Sequence, residues 1–495
     1  DLRTGKGRSL DTGTAFTREW LVDAGGQPVA RAEWEYDQAL YTLLGRRDGS
    51  WKPLLQRRDG STLDLVGLSA DGGAVLAIGG SDDAKTGGLA KLWAIALDGS
   101  GKTVVAEDAT HDVDGVIRDP NDGRPVGATI GGAEGRIVWL DPQAEALHGR
   151  IARAFPGRQV EIRGRSRDAQ RVLAHVSSPS HAPVYYLVDL AKRTADIVGE
   201  PYPALADVAL GRVEPWSYPA RDGTPIPAFL TLPPGTGEKN LPLVVLPHGG
   251  PEANDAYEFD WLVQFLATRG YVVLQPQFRG STGYGEAHRL AGYRQWGGLM
   301  QDDVTDGVKA LIARGLVDPR RVCIVGASYG GFAALAGATL TPDLYACAVS
   351  INGVADLPAM LGHTQMMGGK DSHALAYWTE HIGSVHDPKV TERSPARLAR
   401  NVRAPILLLH GVDDTVVPIA QSEAMARGLQ AAGKPFTFVK LPSEDHWLSR
   451  GETRTRVLEE IEKFVAPHLQ PPAGGGATAD PAAAPDAAAP AAHAH

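Results

Sequence analysis

The sequence predicts a mostly parallel, doubly wound α/β sheet preceded by an all-β, propeller-like region with fewer blades than a full ring. Three observations carry that prediction. Beyond about Arg212, apolar runs of strand length alternate with helical segments, as strands buried on both faces require. Before it, residues 14 to 205 consist of short β-like runs separated by turn residues, with no convincing long amphipathic helix. Within that first part, a nine-residue pattern recurs.

The recurrence is Ser-x-Asp-x-x-x-Val-Leu-Ala, at Ser69 to Ala77 and again at Ser166 to Ala174, 97 residues later. That separation is about two periods of a propeller blade, and a degenerate middle copy fits near Asp119 to Ala128. Each full copy continues through a turn into a second apolar run, Lys91 to Leu97 or Val184 to Leu190, and then a last strand. The unit is therefore four-stranded and occurs about four times, over residues 1–210. Four blades are few for closure, so either the ring is small or blades upstream of Asp1 are missing.

Residues 211–469 carry the α/β pattern. Val213 to Tyr218 and Ile226 to Leu232 read as strands around the turn at Arg221 to Thr224, followed by the apolar run Leu243 to Leu246. Further strands are expected at Val272 to Leu274, Val322 to Val325, Ala346 to Ile351, Ile406 to Leu409 and Phe436 to Leu441. Helices are expected at Val304 to Arg314, Phe332 to Leu340, Ser422 to Ala432 and Val457 to Leu469. Residues 470–495 are Ala, Pro and Gly with almost nothing to bury, the composition of a disordered tail.

Composition narrows the function. A chain of 495 residues, 43% hydrophobic and 22% charged, has enough apolar residues for two or three cores. A net charge of -9 without clustered Lys and Arg disfavours a nucleic-acid partner. No apolar run reaches the length of a membrane span, and no signal peptide is visible. Cytoplasmic and exported locations both fit, and the sequence does not specify an oligomeric state. The two cysteines, Cys323 and Cys347, read as buried, inert small hydrophobes, and a disulfide framework is excluded. No His/Cys/Asp cluster has ligand spacing, so neither a metal nor an organic cofactor is expected.

The chemistry centres on Gly326-Ala327-Ser328-Tyr329-Gly330-Gly331, a strand of small apolar residues running into a glycine-flanked serine and then a helix. With 58 glycines in the chain, Gly-x-Ser-x-Gly alone is a weak signal. Its context strengthens it. A serine nucleophile needs a base, and the base needs an orienting carboxylate; an α/β-hydrolase supplies them after later strands, acid before histidine. The strand Ile406 to Leu409 ends in His410-Gly411-Val412-Asp413-Asp414, and the strand Phe436 to Leu441 ends in Pro442-Ser443-Glu444-Asp445-His446-Trp447. Ser328 and His446 thus stand at strand ends in the required order. Spacing does not choose between Asp413 and Asp414, and Asp445 is a rival acid. His410 is expected to pack or hydrogen-bond rather than act as base. The first long parallel strand ends in His248-Gly249-Gly250-Pro251, where a glycine turn can offer an N–H to an oxyanion opposite that of Tyr329.

These motifs, together with Phe278-Arg279-Gly280-Ser281-Thr282-Gly283-Tyr284-Gly285, resemble the prolyl oligopeptidase family of serine peptidases. The resemblance covers about Val213 to Leu469 and is greatest to the acylaminoacyl-peptidase and dipeptidyl-peptidase-like bacterial branch. It implies Ser328 as nucleophile, His446 as general base and then acid, and Asp414 as the orienting carboxylate. It also implies an oxyanion hole from the backbone N–H groups of Tyr329 and Gly250. Relatives with a tyrosine hydroxyl in that hole carry it where this chain has His248, which favours the acylaminoacyl-peptidase-like type. Val417, Val354 and Leu357 are candidates for an apolar S1 pocket, with core packing as the alternative.

The expected activity is hydrolysis of peptide bonds in short peptides through an acyl-enzyme. A carboxylesterase on the same fold is the alternative, because fold and triad do not fix the acyl substrate.

Overall fold

The structure, a computed structural model, describes residues 3–58, 61–80, 88–132, 135–237 and 239–470. The first part forms four antiparallel sheets in chain order. The first comprises β1 (Thr17–Val22), β2 (Pro28–Glu35), β3 (Leu40–Arg47) and β4 (Ser50–Arg57). The second comprises β5 (Asp64–Leu68), β6 (Ala74–Gly79), β7 (Lys91–Ala96) and β8 (Lys102–Ala106). The third has three strands, β9 (Val113–Arg118), β10 (Pro125–Ile130) and β11 (Arg136–Trp139). The fourth comprises β12 (Gln159–Arg165), β13 (Arg171–Ser178), β14 (His181–Asp189) and β15 (Thr194–Gly199).

The recurrent sequence pattern is the hairpin between the first two strands of a sheet. At Ser69 and Ser166 the hydroxyl donates to the aspartate two residues on, and that aspartate accepts the N–H of Gly73 or Gln170. The backbone then closes between Ser69 and Ala74 or between Ser166 and Arg171. Short polar side chains that bond the backbone two residues on favour turns over continued strand. The middle copy closes identically, between Asp119 and Arg124. The first sheet has a further turn of this kind at Asp23 to Gln27, too diverged to show in the sequence.

Neighbouring sheets bury apolar faces against each other. Ala30, Tyr41 and Leu43 of the first sheet pack with Val75, Ala77 and Ile95 of the second. Leu76, Ile78 and Leu92 on the second sheet's other face meet Val113, Ala128 and Ile130 of the third.

Two expectations are corrected here. Among the described residues the third unit has no fourth strand; α1 (Pro142–Ala152) follows β11 instead and packs Ile151 and Leu147 against Val160, Val172 and Val188 of the fourth sheet. This also places an 11-residue helix in a region where no convincing long amphipathic helix was expected. It begins at an N-cap, Asp141, whose carboxylate accepts the N–H groups of Gln143 and Ala144, with proline at the first helical position. The expected tail beyond residue 470 lies outside the described residues.

From β16 (Arg212–Pro219) onward one eight-stranded sheet takes over. Its further strands are β17 (Pro225–Leu232), β18 (Leu241–Val245), β19 (Val272–Pro276), β20 (Val317–Ala327), β21 (Cys347–Ile351), β22 (Ile406–Gly411) and β23 (Phe436–Leu441). The spatial order is β16-β17-β19-β18-β20-β21-β22-β23; pairings from β19 to β23 are parallel and the first two are antiparallel. Helices α2 (Trp261–Ala267), α3 (Glu286–Leu290), α4 (Leu299–Ala313), α5 (Tyr329–Leu340), α6 (Leu357–Gly368), α7 (His373–Ile382), α8 (Pro388–Glu392), α9 (Ala420–Ala431) and α10 (Gly451–Leu469) connect these strands or follow them.

Strand alternation divides the core in two. Leu243, Ile324, Ile406 and Leu408 face the layer of α4, α5 and α9, whereas Val244, Val325, Leu407 and Leu409 face that of α2 and α10. Burying both faces explains why these strands read as unbroken apolar runs.

A third correction concerns the cysteines. Cys323 and Cys347 face each other in the register of β20 and β21, with Cα atoms 4.7 Å apart, and form a disulfide. Both lie in the layer facing α2 and α10 and are fully buried.

The two parts are tied at defined points. The buried Gln264 of α2 accepts the Gly211 N–H and donates to the carbonyls of Pro179 and Gly211. Asp112, at the start of the third sheet, donates its N–H to the Gly283 carbonyl and accepts the N–H of Gly285.

Candidate active site

β20 delivers Ser328 into a turn that only glycine neighbours permit. A Cβ on Gly326 would lie 2.2 Å from the Gly330 carbonyl oxygen, and one on Gly330 would lie 2.1 Å from that of Pro247. Ser328 itself has φ 58° and ψ -119°, a backbone conformation L-residues seldom adopt and one held here by the packing around it. Its N–H donates to the Ile351 carbonyl (2.9 Å), and its carbonyl accepts the N–H of Phe332. The hydroxyl therefore stands at the end of β20, directly before α5. Tyr329 is the first residue of that helix, where N–H groups have no intrahelical acceptor. Its ring is buried against Phe278, Trp296 and Phe332.

The loop after β18 approaches this turn. A Cβ on Gly249 would be 3.5 Å from the Ser328 Cβ, which places the His248 to Pro251 segment beside the serine. Gly250 adopts φ 115°, which favours glycine. The His248 ring stacks on Phe278 with centroids 4.3 Å apart. Its Nδ1–H donates to the Gly249 carbonyl (2.7 Å), and Nε2 lies 2.8 Å from Ser281 Oγ. Burial pushes this imidazole down to about 4, so it is neutral at ordinary pH. The Gly249 carbonyl belongs to the same rigid peptide unit as the Gly250 N–H, so His248 fixes the direction in which that N–H points. Sequence reading treated His248 only as a departure from relatives with a tyrosine.

The acid and the base converge from β22 and β23. Asp414 Oδ2 accepts a 2.7 Å hydrogen bond from His446 Nδ1. Its Oδ1 accepts the N–H groups of Val416 and Val417, both at 2.8 Å. The Asp414 carboxylate is fully buried, whereas Asp413 is exposed. Asp445 instead shapes its own loop, accepting the N–H of Trp447, the N–H of Ser449 and the Ser449 hydroxyl. His410 is buried and bonds Ser422 Oγ (2.7 Å) and the Val417 carbonyl (2.9 Å), the packing position expected of it.

Asn352 was missed by sequence reading. Its Oδ1 accepts the Gly411 N–H, and its Nδ2 donates to the carbonyls of Asp445 and His446, so one buried amide joins the strand before the acid to the loop carrying the base. The residue has φ 48°, which asparagine tolerates better than most side chains. Val417, Val354 and Leu357 are 3%, 2% and 1% exposed and belong to the apolar core.

A cleft of about 770 Å³ separates the second and third sheets from the loops around Glu252 and Thr282 and from α7. Its described lining carries the carboxylates of Asp64, Asp112, Asp114, Glu252, Glu286 and Glu380 against a single guanidinium, Arg289. Glu252 lies two residues beyond Gly250. Arg289 and Tyr293 bond its Oε1, and the Tyr377 hydroxyl bonds Oε2. Although burial opposes it, hydrogen bonding and charge from His381 and Arg289 hold this carboxyl down at about 2. It is ionised at any working pH.

Residues 257–472 match the sequence profile of the prolyl oligopeptidase family (Peptidase_S9). Dipeptidyl aminopeptidase BIII of Pseudoxanthomonas mexicana is 30% identical over 486 residues, 94% of this chain and 68% of that protein. The acylamino-acid-releasing enzyme of Rattus norvegicus is 28% identical over 254 residues, 49% of this chain and 34% of that one. Among solved structures, a puromycin-hydrolyzing peptidase of Mycobacterium tuberculosis superimposes with a TM-score of 0.73 at 25% identity, covering 93% of this chain and 71% of its own.

Proposed function

The chain belongs to the prolyl oligopeptidase family and is a serine-type peptidase acting on short peptides, and from this we propose that it removes short fragments from peptides with a free N-terminal amine. Ser328 is the nucleophile, His446 the base and then the acid, and Asp414 the carboxylate that orients it. The Asp414–His446 hydrogen bond supports this assignment, because it leaves Nε2 as the nitrogen that exchanges a proton with the serine.

Ser328 Oγ attacks the scissile carbonyl as His446 Nε2 takes its proton. The oxyanion that forms accepts the N–H groups of Tyr329 and Gly250, each worth about 2.7 to 4 kcal/mol of transition-state stabilisation. Collapse expels the leaving amine, which takes the proton from the imidazolium. Water then attacks the acyl-serine with His446 again as base, releasing the shortened acyl fragment and restoring Ser328.

The acidic cleft supports the choice of substrate. Six carboxylates against one guanidinium attract an ammonium and repel anions, and Glu252 brings that charge next to the Gly250 peptide. An N-acylated peptide has no ammonium to place there. The similarity to a dipeptidyl aminopeptidase over most of the chain agrees with this reading.

Two measurements test it. Ser328→Ala should abolish labelling by a fluorophosphonate probe; labelling at wild-type level would locate the nucleophile elsewhere. Dipeptidyl p-nitroanilides with a free amine should exceed their N-acetyl counterparts at least tenfold in kcat/KM. Equal or faster turnover of the acetylated series would overturn the amine assignment.

A further inference from the structure

Among the described residues Trp447 is the most exposed of the large apolar side chains, at 76%, yet it follows directly on His446. A tryptophan ordinarily contributes its large apolar area to a core or an interface. Here the backbone holds it out. Asp445 accepts the N–H groups of Trp447 and Ser449, Leu448 turns back into the core with φ 51°, and Asn352 pins the carbonyls of Asp445 and His446. The indole stands edge-on to the His446 imidazole, with ring centroids 5.2 Å apart and planes at 88°.

Two more exposed apolar side chains, Val412 and Val416, sit on the Asp414 loop, two residues to either side of the acid. The pair of loops that supplies acid and base therefore exposes three apolar side chains, Trp447 among them, on a rim that also carries Asp413 and Thr415. Resting on His446 as general acid, the position of this rim has a chemical meaning. The proton on His446 must reach the departing amine, so the first residue of the leaving fragment passes beside the imidazole and whatever flanks it.

We propose that Trp447 is a specificity-determining residue, an aromatic wall that receives the first residue of the leaving fragment and favours flat apolar side chains, aromatic residues and proline. The backbone that carries the indole is held in place, so ordering the loop costs little on contact with substrate. Its edge-to-face contact with His446 leaves ring area for a second planar group.

The test is a competition between peptides that share one N-terminal sequence and differ only in the residue after the scissile bond: Phe, Trp, Pro, Ala or Gly. Products are followed by mass spectrometry, with fluorophosphonate labelling of each variant in parallel. In the wild type, Phe, Trp and Pro should lead Gly about tenfold in kcat/KM. Trp447→Ala should reduce that ratio to within twofold, and Trp447→Phe should keep most of it. An unchanged ratio in Trp447→Ala would overturn the proposal, as would a uniform fall for all five peptides, which marks a merely structural role. Failure of the underlying reading has a separate signature, because labelling would then persist in Ser328→Ala.

Discussion

His446 Nδ1 and Asp414 Oδ2 are 2.7 Å apart, and the other Asp414 oxygen is held by two backbone N–H groups from its own loop. The carboxylate cannot rotate without giving up three hydrogen bonds, so it fixes both the tautomer and the plane of the imidazole. Asp414→Asn replaces an acceptor by a donor where Nδ1–H needs an acceptor. We expect kcat to fall about 10⁴-fold with little loss of fold. Asp413→Asn, at an exposed neighbour, should leave kcat within twofold. Steady-state kinetics of the two variants decide between these carboxylates, and a reversed order would refute the assignment.

The His248 bond to the Gly249 carbonyl orients the peptide unit that ends in the Gly250 N–H. His248→Phe keeps a ring over Phe278 but loses the bond, freeing that peptide to rotate. Because one oxyanion donor is misdirected rather than removed, kcat should drop about 10- to 100-fold, below the full cost of losing a donor, with KM almost unchanged. A rise in KM at constant kcat would show instead that His248 serves substrate binding.

The serine turn and the positions of the strands along the chain were legible in the sequence because their signals are largely local. Gly326 is required by a clash four residues away, with the Gly330 carbonyl, although the clash at Gly330 is with distant Pro247; strands buried on both faces need unbroken apolar runs. What stayed hidden depends on contacts between distant segments. Spacing did not separate Asp414 from Asp413, which only the family resemblance did, because the two differ in which carboxylate the loop turns inward toward His446, 32 residues away. The acidic cleft assembles from Asp64 to His381 and has no signature in any one segment. Helix α1 was overlooked because it is short, and its apolar positions matter only once the fourth sheet is there to cover them.

Asp255, in the loop after Gly250, has a buried carboxyl oxygen without a hydrogen-bond partner. Burial, reinforced by the nearby charges of Asp260 and Glu258, pushes its carboxyl up to about 8. The unfolded chain releases that proton near pH 4 and the folded chain keeps it to about 8, so the folded state binds more protons between these limits. This group's contribution to stability therefore falls as pH rises from about 4 to about 8 and levels off above. Asp255→Asn removes that slope. Urea unfolding should find the variant level with the wild type near pH 4 and more stable at pH 8; parallel pH profiles would show that the carboxyl titrates normally.

Cys323 and Cys347 are register partners on adjacent parallel strands, and the bridge between them closes a 24-residue separation that contains Ser328 and α5. Cross-linking a loop of that length removes unfolded-state entropy worth about 3 kcal/mol. Both sulfurs are fully buried, so reductant reaches them only when the sheet opens. The expected behaviour follows in two parts. Under denaturing conditions alkylation should modify neither cysteine until a reductant is added, and then both. The Cys323→Ala/Cys347→Ala double variant should lose about 3 kcal/mol in denaturant unfolding, with a further cost for the cavity left beneath the sheet. Two thiols alkylated without reduction would show that the pair is unbridged, and stability should then be indifferent to reductant.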